Sequence, residues 1–204
     1  MSKQVVTKLV VNTRKRNKAT TFFRPILILP ILIFVSTFSS NNSGTVSISF
    51  LLAVPVLLAL VFRNIYPSYI YGFNQSFLEL QNRISLYALY LTDEFPSIEK
   101  SKNVTITLPD VKGGKALNRW LPLVKWFLAI PLYVVGAVYL AVTVIYTIIA
   151  WFNILFTGKY PKFAINFVVG TVQFWNRVTG YAFILVTDEY PTFSVKAKRI
   201  NRAK

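Results

Sequence analysis

The sequence predicts an all-α membrane protein of two tandem units, each a transmembrane helical hairpin followed by a long amphipathic helix. Three observations support this fold class. Apolar residues make up 54% of the chain and charged residues 15%, against about 45–50% and about 25% in a typical soluble domain. The apolar residues fall into two long regions, and a polar motif of the first half recurs in the second. Short β-like segments, VVTKLVV and VTITL, are expected on the cytoplasmic side.

The first predicted unit is residues 1–99, with a basic amino terminus, a hairpin at 22–62 and an amphipathic helix at 67–91. Its two apolar runs are joined by the polar loop SSNNSGT. Each run is slightly shorter than the ~20 residues that usually span a bilayer, but within the tolerated range. No small-residue cleavage site follows the first run, so we expect a retained anchor and not a signal peptide.

The second predicted unit is residues 100–204, with a basic linker, a hairpin at 120–157, an amphipathic helix at 161–187 and a basic tail. Its apolar region is about twice the length of one span, since ~20 residues cross the hydrocarbon core. The sequence therefore predicts two helices with a tight turn near residues 136–142, although no typical loop residues mark that turn.

The duplication is clearest where NRISLYALYLTDEFP, at 82–96, matches NRVTGYAFILVTDEYP, at 176–191. The alignment needs one inserted residue and keeps Asn-Arg, Tyr-Ala and Thr-Asp-Glu in register. Composition bias alone would not align polar and charged residues in this way. Internal symmetry of this kind is common in membrane proteins.

Charge placement predicts the orientation. Lys and Arg cluster before the first hairpin, between Lys100 and Lys125, and after Phe193, whereas neither hairpin turn contains any. By the positive-inside rule the amino terminus, central linker and carboxyl terminus are cytoplasmic, in a multi-pass protein of the cell membrane. An even number of crossings must then separate successive basic segments, so the helices at 67–91 and 161–187 should not span.

Helical spacing supports amphipathic helices that lie along the interface. Polar residues recur at intervals of four, three and four, which places them on one stripe: Gly72, Ser76, Glu79 and Arg83 in the first unit, and Asn166, Gly170, Gln173 and Arg177 in the second. A packed spanning or re-entrant helix is the alternative. Arg83 and Arg177 either contact lipid or a partner or, as we favour, pair with a carboxylate that holds the helix against the hairpin.

The composition lacks the residue types on which most catalytic mechanisms depend. The chain has no Cys and no His, which excludes thiolate nucleophiles, imidazole bases and the usual zinc and haem ligands. We expect no enzyme activity, no cofactor and no metal site. The basic segments RKRNK and KAKRINRAK flank membrane regions, so we interpret them as topology determinants and contacts for anionic headgroups, not as nucleic-acid sites.

The candidate contact residues are therefore polar, basic or aromatic side chains near the expected cytoplasmic interface. They would bind membrane lipid, a protein partner or a second copy of the chain. They are Arg83, Arg177, Asn82, Asn176, Asp93, Glu94, Asp188, Glu189, Trp120, Lys125 and Trp126.

A family resemblance is carried by three motifs of the second half: Lys-Trp-x-Leu-Ala-Ile-Pro, Phe-Thr-Gly-x-Tyr-Pro and Thr-Asp-x-Tyr-Pro. Residues 119–195 resemble a prokaryotic membrane family catalogued as the domain of unknown function numbered 4389, and the first unit resembles it weakly. The resemblance implies an integral membrane protein without an assigned activity. The family usually has His where Leu132 stands and often Asp where Asn166 stands, so a role that needs those groups is not expected here.

These observations predict a non-enzymatic membrane scaffold or accessory subunit. A small oligomeric transporter or channel is the alternative, although the hairpins contain few polar residues to line a pathway. A lipid-modifying enzyme ranks third, because only the acidic residues of the two Thr-Asp-Glu motifs could supply its acid, base or metal groups.

Overall fold

The computed structural model describes residues 4–12, 16–37, 48–99, 103–197 and 200–203, and 64% of these are helical. The helices are α1 (Lys18–Leu27), α2 (Leu29–Thr37), α3 (Ile48–Leu58), α4 (Ser68–Ala88), α5 (Leu121–Leu128), α6 (Ile130–Thr157) and α7 (Lys162–Ala182). The strands are β1 (Val6–Asn12), β2 (Val104–Thr107) and β3 (Ile200–Ala203). A π-helical turn (Ala59–Arg63) extends α3, and a 3-10 turn (Lys112–Gly114) precedes α5.

The three strands form one sheet in the order β2-β1-β3. Strand β1 is antiparallel to β2, with Thr7 opposite Ile106, and parallel to β3, with Leu9 opposite Ile200. The β-like segments expected from the sequence form β1 and β2, whereas β3 was not predicted. The sheet brings the amino-terminal, central and carboxyl-terminal basic segments of the chain together.

Strand β1 runs along α7 in the opposite direction. At one end, a Cβ added to Gly180 would lie 2.3 Å from a methyl of Val5. Midway, the amide of Gln173 donates to the carbonyl of Thr7 at 3.1 Å. Beyond the other end, the backbone N–H of Arg16 donates to the carbonyl of Gly158 at 2.8 Å. The contacts on α7 move from Gly180 to Gln173 as the chain advances from Val5 to Thr7, so β1 and α7 run in opposite directions.

Helix α6 packs antiparallel on the opposite face of α7. The hydroxyl of Thr143 donates to that of Thr171 at 3.1 Å, and the ring of Tyr146 meets those of Phe163 and Phe167. Gln173, Asn176 and Gly180, which face the sheet, point the other way around the helix. The second half therefore has three layers, with α7 between the sheet and α6.

The prediction of a hairpin at 120–157 is wrong about the position of the bend. A short α5 bends at Ala129 into α6, which continues for 28 residues without the turn expected near 136–142. The helix continues through Gly136. The missing side chain at this position allows α6 to pack closely against α7. A Cβ there would lie 2.6 Å from the ring of Trp175.

The hairpin predicted at 22–62 is described only in part. Helices α1 and α2 meet at Ile28, and the π-helical turn that extends α3 ends at Asn64, which has a left-handed conformation with φ 53. The polar loop SSNNSGT and its neighbours, residues 38–47, lie outside the described residues.

One helix within the described residues is long and apolar enough to cross a membrane, namely Ile130–Thr157. Only 17% of its most apolar window is buried inside the fold, unlike the core helix of a soluble protein. This is weak evidence for a membrane protein, and it leaves the predicted number of crossings untested.

The predicted amphipathic helices at 67–91 and 161–187 correspond to α4 and α7. Each has 21 residues and follows a proline with closely similar dihedrals, φ −65 and ψ 127 for Pro67 and φ −63 and ψ 122 for Pro161. Proline fixes φ and has no N–H to satisfy, so it suits the position before a helix.

Candidate functional site

A buried arginine holds the end of α4 in the first half. Arg24, on α1, is 1% exposed. One guanidinium nitrogen lies 2.6 Å from the carboxylate of Asp93, and another donates to the carbonyls of Thr92 and Tyr87 at 3.0 and 3.1 Å. The guanidinium also lies over the ring of Tyr87, 4.4 Å from its centre. Charge-assisted bonds of this kind offset the cost of burying the cation.

A second arginine shares the same carboxylate. Arg16 lies 3.2 Å from Asp93 and donates to the carbonyl of Leu91 at 2.8 Å. Burial lowers the pKa of Arg16, and the charge and hydrogen bond of Asp93 act in the opposite direction. Asp93 therefore neutralises only part of the positive charge of two buried guanidinium groups.

A buried lysine occupies the matching place in the second half. Lys125, on α5, is fully buried. Its ammonium lies 2.7 Å from the carboxylate of Asp188, donates to the carbonyl of Thr187 at 2.7 Å, and lies 5.2 Å from the centre of the Tyr181 ring. Burial lowers the pKa of Lys125, and the hydrogen bond and charge of Asp188 act against this shift.

The two Thr-Asp-Glu motifs thus have the same structural role, which is to bind a buried cation. In each, the threonine carbonyl and the aspartate carboxylate receive a buried cation from the helix that opens the same half of the chain. The backbone before each motif also matches, since Tyr90 and Leu185 both adopt φ 60, a conformation uncommon outside glycine. The sharp exit from each long helix is therefore fixed by an internal ion pair.

Asn82 and Asn176 link the two long helices. Each side-chain amide donates to the other's carbonyl oxygen, at 3.0 and 2.7 Å, and both residues are buried. The amide of Asn176 also donates to the hydroxyl of Thr7 at 3.0 Å, which ties the pair to the sheet. Buried amides that satisfy one another in this way fix the register of α4 against α7.

The motif arginines bind backbone, which corrects the carboxylate pairing that we favoured. Arg83 donates to the carbonyl of Ile98 at 3.3 Å, and its Nε and Nη1 are buried without a hydrogen-bond partner among the described residues. Arg177 donates to the carbonyls of Thr192 and Ser194 at 3.3 and 2.6 Å. Burial lowers the pKa of both arginines. Each arginine fixes the chain that returns after its helix.

The remaining predicted contact residues divide by exposure. Glu94, Glu189 and Trp120 are exposed. The indole N–H of Trp126 donates to the carbonyl of Ala182 at 2.6 Å, which holds α5 against the end of α7. These three exposed side chains are accessible to lipid or a partner. Asn82, Asn176 and Lys125 are buried, and their polar atoms bind other parts of the fold.

Two cations of this site were not among the predicted contacts. The spacing of Arg24 before Pro30 equals that of Lys125 before Pro131, and this signal could have identified Arg24. Nothing in RKRNK distinguishes Arg16 from its basic neighbours, so its burial could not be read from the sequence.

A cavity of about 520 Å³ lies between α4, α6 and α7. Its wall is mostly apolar and includes Leu140 and Val144 of α6, which are exposed. Its polar walls are the Asn82–Asn176 pair and the Thr143–Thr171 pair, whose members bond one another. A volume of 300–1,000 Å³ is typical of small-ligand sites.

The comparison with protein families concerns the second half of this arrangement. The model of the family described as Domain of unknown function (DUF4389) matches residues 120–194. This match covers most of the second half of the chain and does not reach the first half. The resemblance read from the three motifs is confirmed for this part of the chain. Comparisons with curated proteins and with solved structures give no match.

The matched segment includes one complete ion-pair arrangement. Lys125, Asp188, Asn176 and Arg177 all lie within it, whereas their counterparts in the first half lie outside the matched residues. Leu132, where the resemblance leads one to expect His, is buried in an apolar cluster with Phe174 and Val178. This position of the segment therefore serves packing.

Proposed function

We propose that the protein is a non-enzymatic integral membrane scaffold or accessory subunit that binds anionic lipid and a protein partner at the cytoplasmic interface. The observation that supports this proposal is the separation of surfaces. The sheet gathers the chain's basic segments, and α6, on the opposite side of α7, exposes an apolar surface, as do α1, α2 and α5. The exposed apolar residues of these helices include Phe22, Phe23, Ile26, Ile33, Phe127, Val134, Val138, Ile145, Ile148 and Phe152. Exposed apolar patches larger than a few hundred Å² are rare on monomeric soluble proteins.

We also propose that the chain consists of two related units that exchange their leading strands. Strand β1, which precedes the first unit, packs on α7 of the second, through Gln173 and Thr7. Strand β2, which precedes the second unit, packs on α4 of the first. There the amide of Gln75 donates to the carbonyl of Ile106 at 2.9 Å. An approximate two-fold axis through the Asn82–Asn176 pair and perpendicular to the sheet would exchange these elements, so both units would face the membrane in the same way.

The proposed orientation places the sheet in the cytoplasm. Its strands come from the three basic segments, and these would then lie together on the side where the positive-inside rule places them. A net charge of +16 favours anionic headgroups, which attract basic residues near the surface by about 1 kcal/mol each. The exposed Lys8, Lys112 and Lys115 are candidates for this contact.

The lipid part of the proposal is tested by mass spectrometry of lipids that remain bound after purification in mild detergent. We expect anionic lipids to be enriched over their share of the membrane. A Lys8→Gln, Lys112→Gln, Lys115→Gln variant should lose most of this enrichment, and the matched Lys→Arg variant should keep it. Equal lipid composition in all three proteins would refute charge-based lipid binding.

The same preparation tests the partner. A scaffold should purify with a second protein, or a second copy of itself, in a fixed ratio. A monomer without any stoichiometric partner, obtained from its native membrane under conditions that preserve known complexes, would contradict the scaffold proposal.

A further inference from the structure

Both ends of α6 are attached to chain that is continuous with the sheet. Its start follows α5, whose Lys125 is bound by the carbonyl of Thr187. At its end, the carbonyl of Phe156 accepts from the ammonium of Lys18 at 2.9 Å, and the carbonyl of Gly158 accepts from the N–H of Arg16 at 2.8 Å. Lys18 and Arg16 belong to the amino-terminal basic segment that follows β1. Helix α6 therefore begins and ends beside segments that belong to one side of the membrane.

The position of β1 gives a second, independent constraint. If α6 crossed the bilayer, the antiparallel α7 would cross beside it. Strand β1 and its neighbours in the sheet would then lie at the depth of the hydrocarbon, because β1 runs along α7 from Gly180 toward Gly158. Open sheets do not occur in that region, since their free edges have no water to bind. Between the central linker and the carboxyl-terminal basic segment, the even number of crossings expected from the charges is therefore zero.

The charges at the α6–α7 junction also favour a position of this junction on the cytoplasmic side. Lys159 and Lys162 are exposed within three residues of each other, and basic residues in short loops are retained on the cytoplasmic side. The face of α6 that points away from α7 is apolar and exposed, and it includes Val138, Ile145 and Phe152.

We propose that α6 lies in the plane of the cytoplasmic leaflet and does not cross the bilayer, although its 28 residues would reach about 42 Å. Its outer face contacts acyl chains, α7 lies at the interface, and the sheet faces water. Half of a hydrocarbon core of about 30 Å is deep enough for a helix about 10–12 Å wide. The identity of the leaflet rests on the proposed orientation, whereas the in-plane position rests on the contacts above.

The test is accessibility labelling in cells, for which the chain offers a native background without cysteine. Single-cysteine variants Lys159→Cys at the α6–α7 junction and Lys112→Cys in the central linker both replace exposed lysines. Lys162→Cys is a second probe of the junction, used if Lys159→Cys is unreactive after permeabilisation. Each variant is treated with a membrane-impermeant maleimide before and after permeabilisation, alongside a control protein with an outward-facing cysteine.

We expect the junction and linker cysteines to react only after permeabilisation. Reaction of the junction cysteine in intact cells, with the linker cysteine still protected, would show that α6 crosses the bilayer and would overturn the inference. Reaction of both in intact cells would keep α6 in the plane of a leaflet but would refute the cytoplasmic orientation. The two proposals therefore fail in distinguishable ways.

Discussion

Asn82 and Asn176 occupy corresponding positions of the repeated motif and bind each other, each amide donating to the other's oxygen at 3.0 and 2.7 Å. A residue that meets its own counterpart must lie near an axis that relates the two halves. The ion pairs Arg24–Asp93 and Lys125–Asp188 lie one on each side of this contact, at the ends of α4 and α7. The polar residues of the repeat thus hold the fold together from inside.

The losses of stability caused by removing the two members of the asparagine pair should not be additive. Asn176→Leu leaves the buried amide of Asn82 without its partner, which costs about 1–3 kcal/mol. The Asn82→Leu, Asn176→Leu double variant removes both polar groups and should be less destabilised than the sum of the single variants. Thermal unfolding in detergent, followed by tryptophan fluorescence, measures the coupling. Ser76→Ala, at an exposed position of α4, is the control, and strictly additive effects would refute the coupling.

The buried ion pair of the second half should respond asymmetrically. Asp188→Leu leaves the fully buried Lys125 ammonium without its countercharge, and breaking a buried pair in this way costs about 3–5 kcal/mol. Lys125→Met leaves a carboxylate that is partly exposed and can be hydrated, so it should cost less. Unfolding midpoints of both variants and of the double variant provide the comparison. A greater loss in Lys125→Met than in Asp188→Leu would contradict this assignment.

The corresponding change in the first half should be more severe. Asp93→Leu leaves two buried guanidinium groups, Arg16 and Arg24, beside each other without an anion. We expect its unfolding midpoint to fall below that of Asp188→Leu. Arg24→Met in the Asp93→Leu background should recover part of the loss, because it removes one of the two repelling charges. If Arg24→Met lowers the midpoint of Asp93→Leu further, the two guanidinium groups do not repel each other as we infer.

Two glycines on long helices should respond with opposite signs. Gly136→Ala places a methyl group 2.6 Å from the Trp175 ring, and overpacking of this kind typically costs about 1–3 kcal/mol. Gly72→Ala meets nothing within 4 Å on the exposed side of α4, so it should stabilise the helix by roughly 0.5–1 kcal/mol. Unfolding midpoints in the same detergent test both. A neutral Gly136→Ala would show that α6 does not pack tightly on Trp175.

The sequence was informative where a pattern has a fixed geometric meaning. The spacing of polar residues predicted α4 and α7, and the β-like segments VVTKLVV and VTITL correspond to β1 and β2. These patterns are local, so they can be read without knowledge of the fold.

The errors concern partners that are distant in sequence. A turn was expected near Gly136. The glycine instead allows close contact with Trp175, a residue 39 positions later that the local sequence does not indicate. Arg83 and Arg177 were expected to meet carboxylates, but the chain that follows each helix turns back and presents backbone carbonyls instead. Asp93 and Asp188 were expected at a surface, and each is instead paired with a cation from a preceding helix. Such pairings are set by tertiary packing and have no local signature.

The central claim is that the basic amino-terminal segment and the basic central linker meet in one sheet on one side of the membrane. Lys8 and Thr105 are paired across β1 and β2, and both are exposed. Directly opposed residues in antiparallel strands lie at a distance that a disulfide can bridge. In isolated membranes treated with a mild oxidant, a Lys8→Cys, Thr105→Cys variant should form an intrachain disulfide, and Lys8→Cys, Lys159→Cys should not. Failure of the first pair to cross-link, with both cysteines reactive to maleimide, would contradict the account.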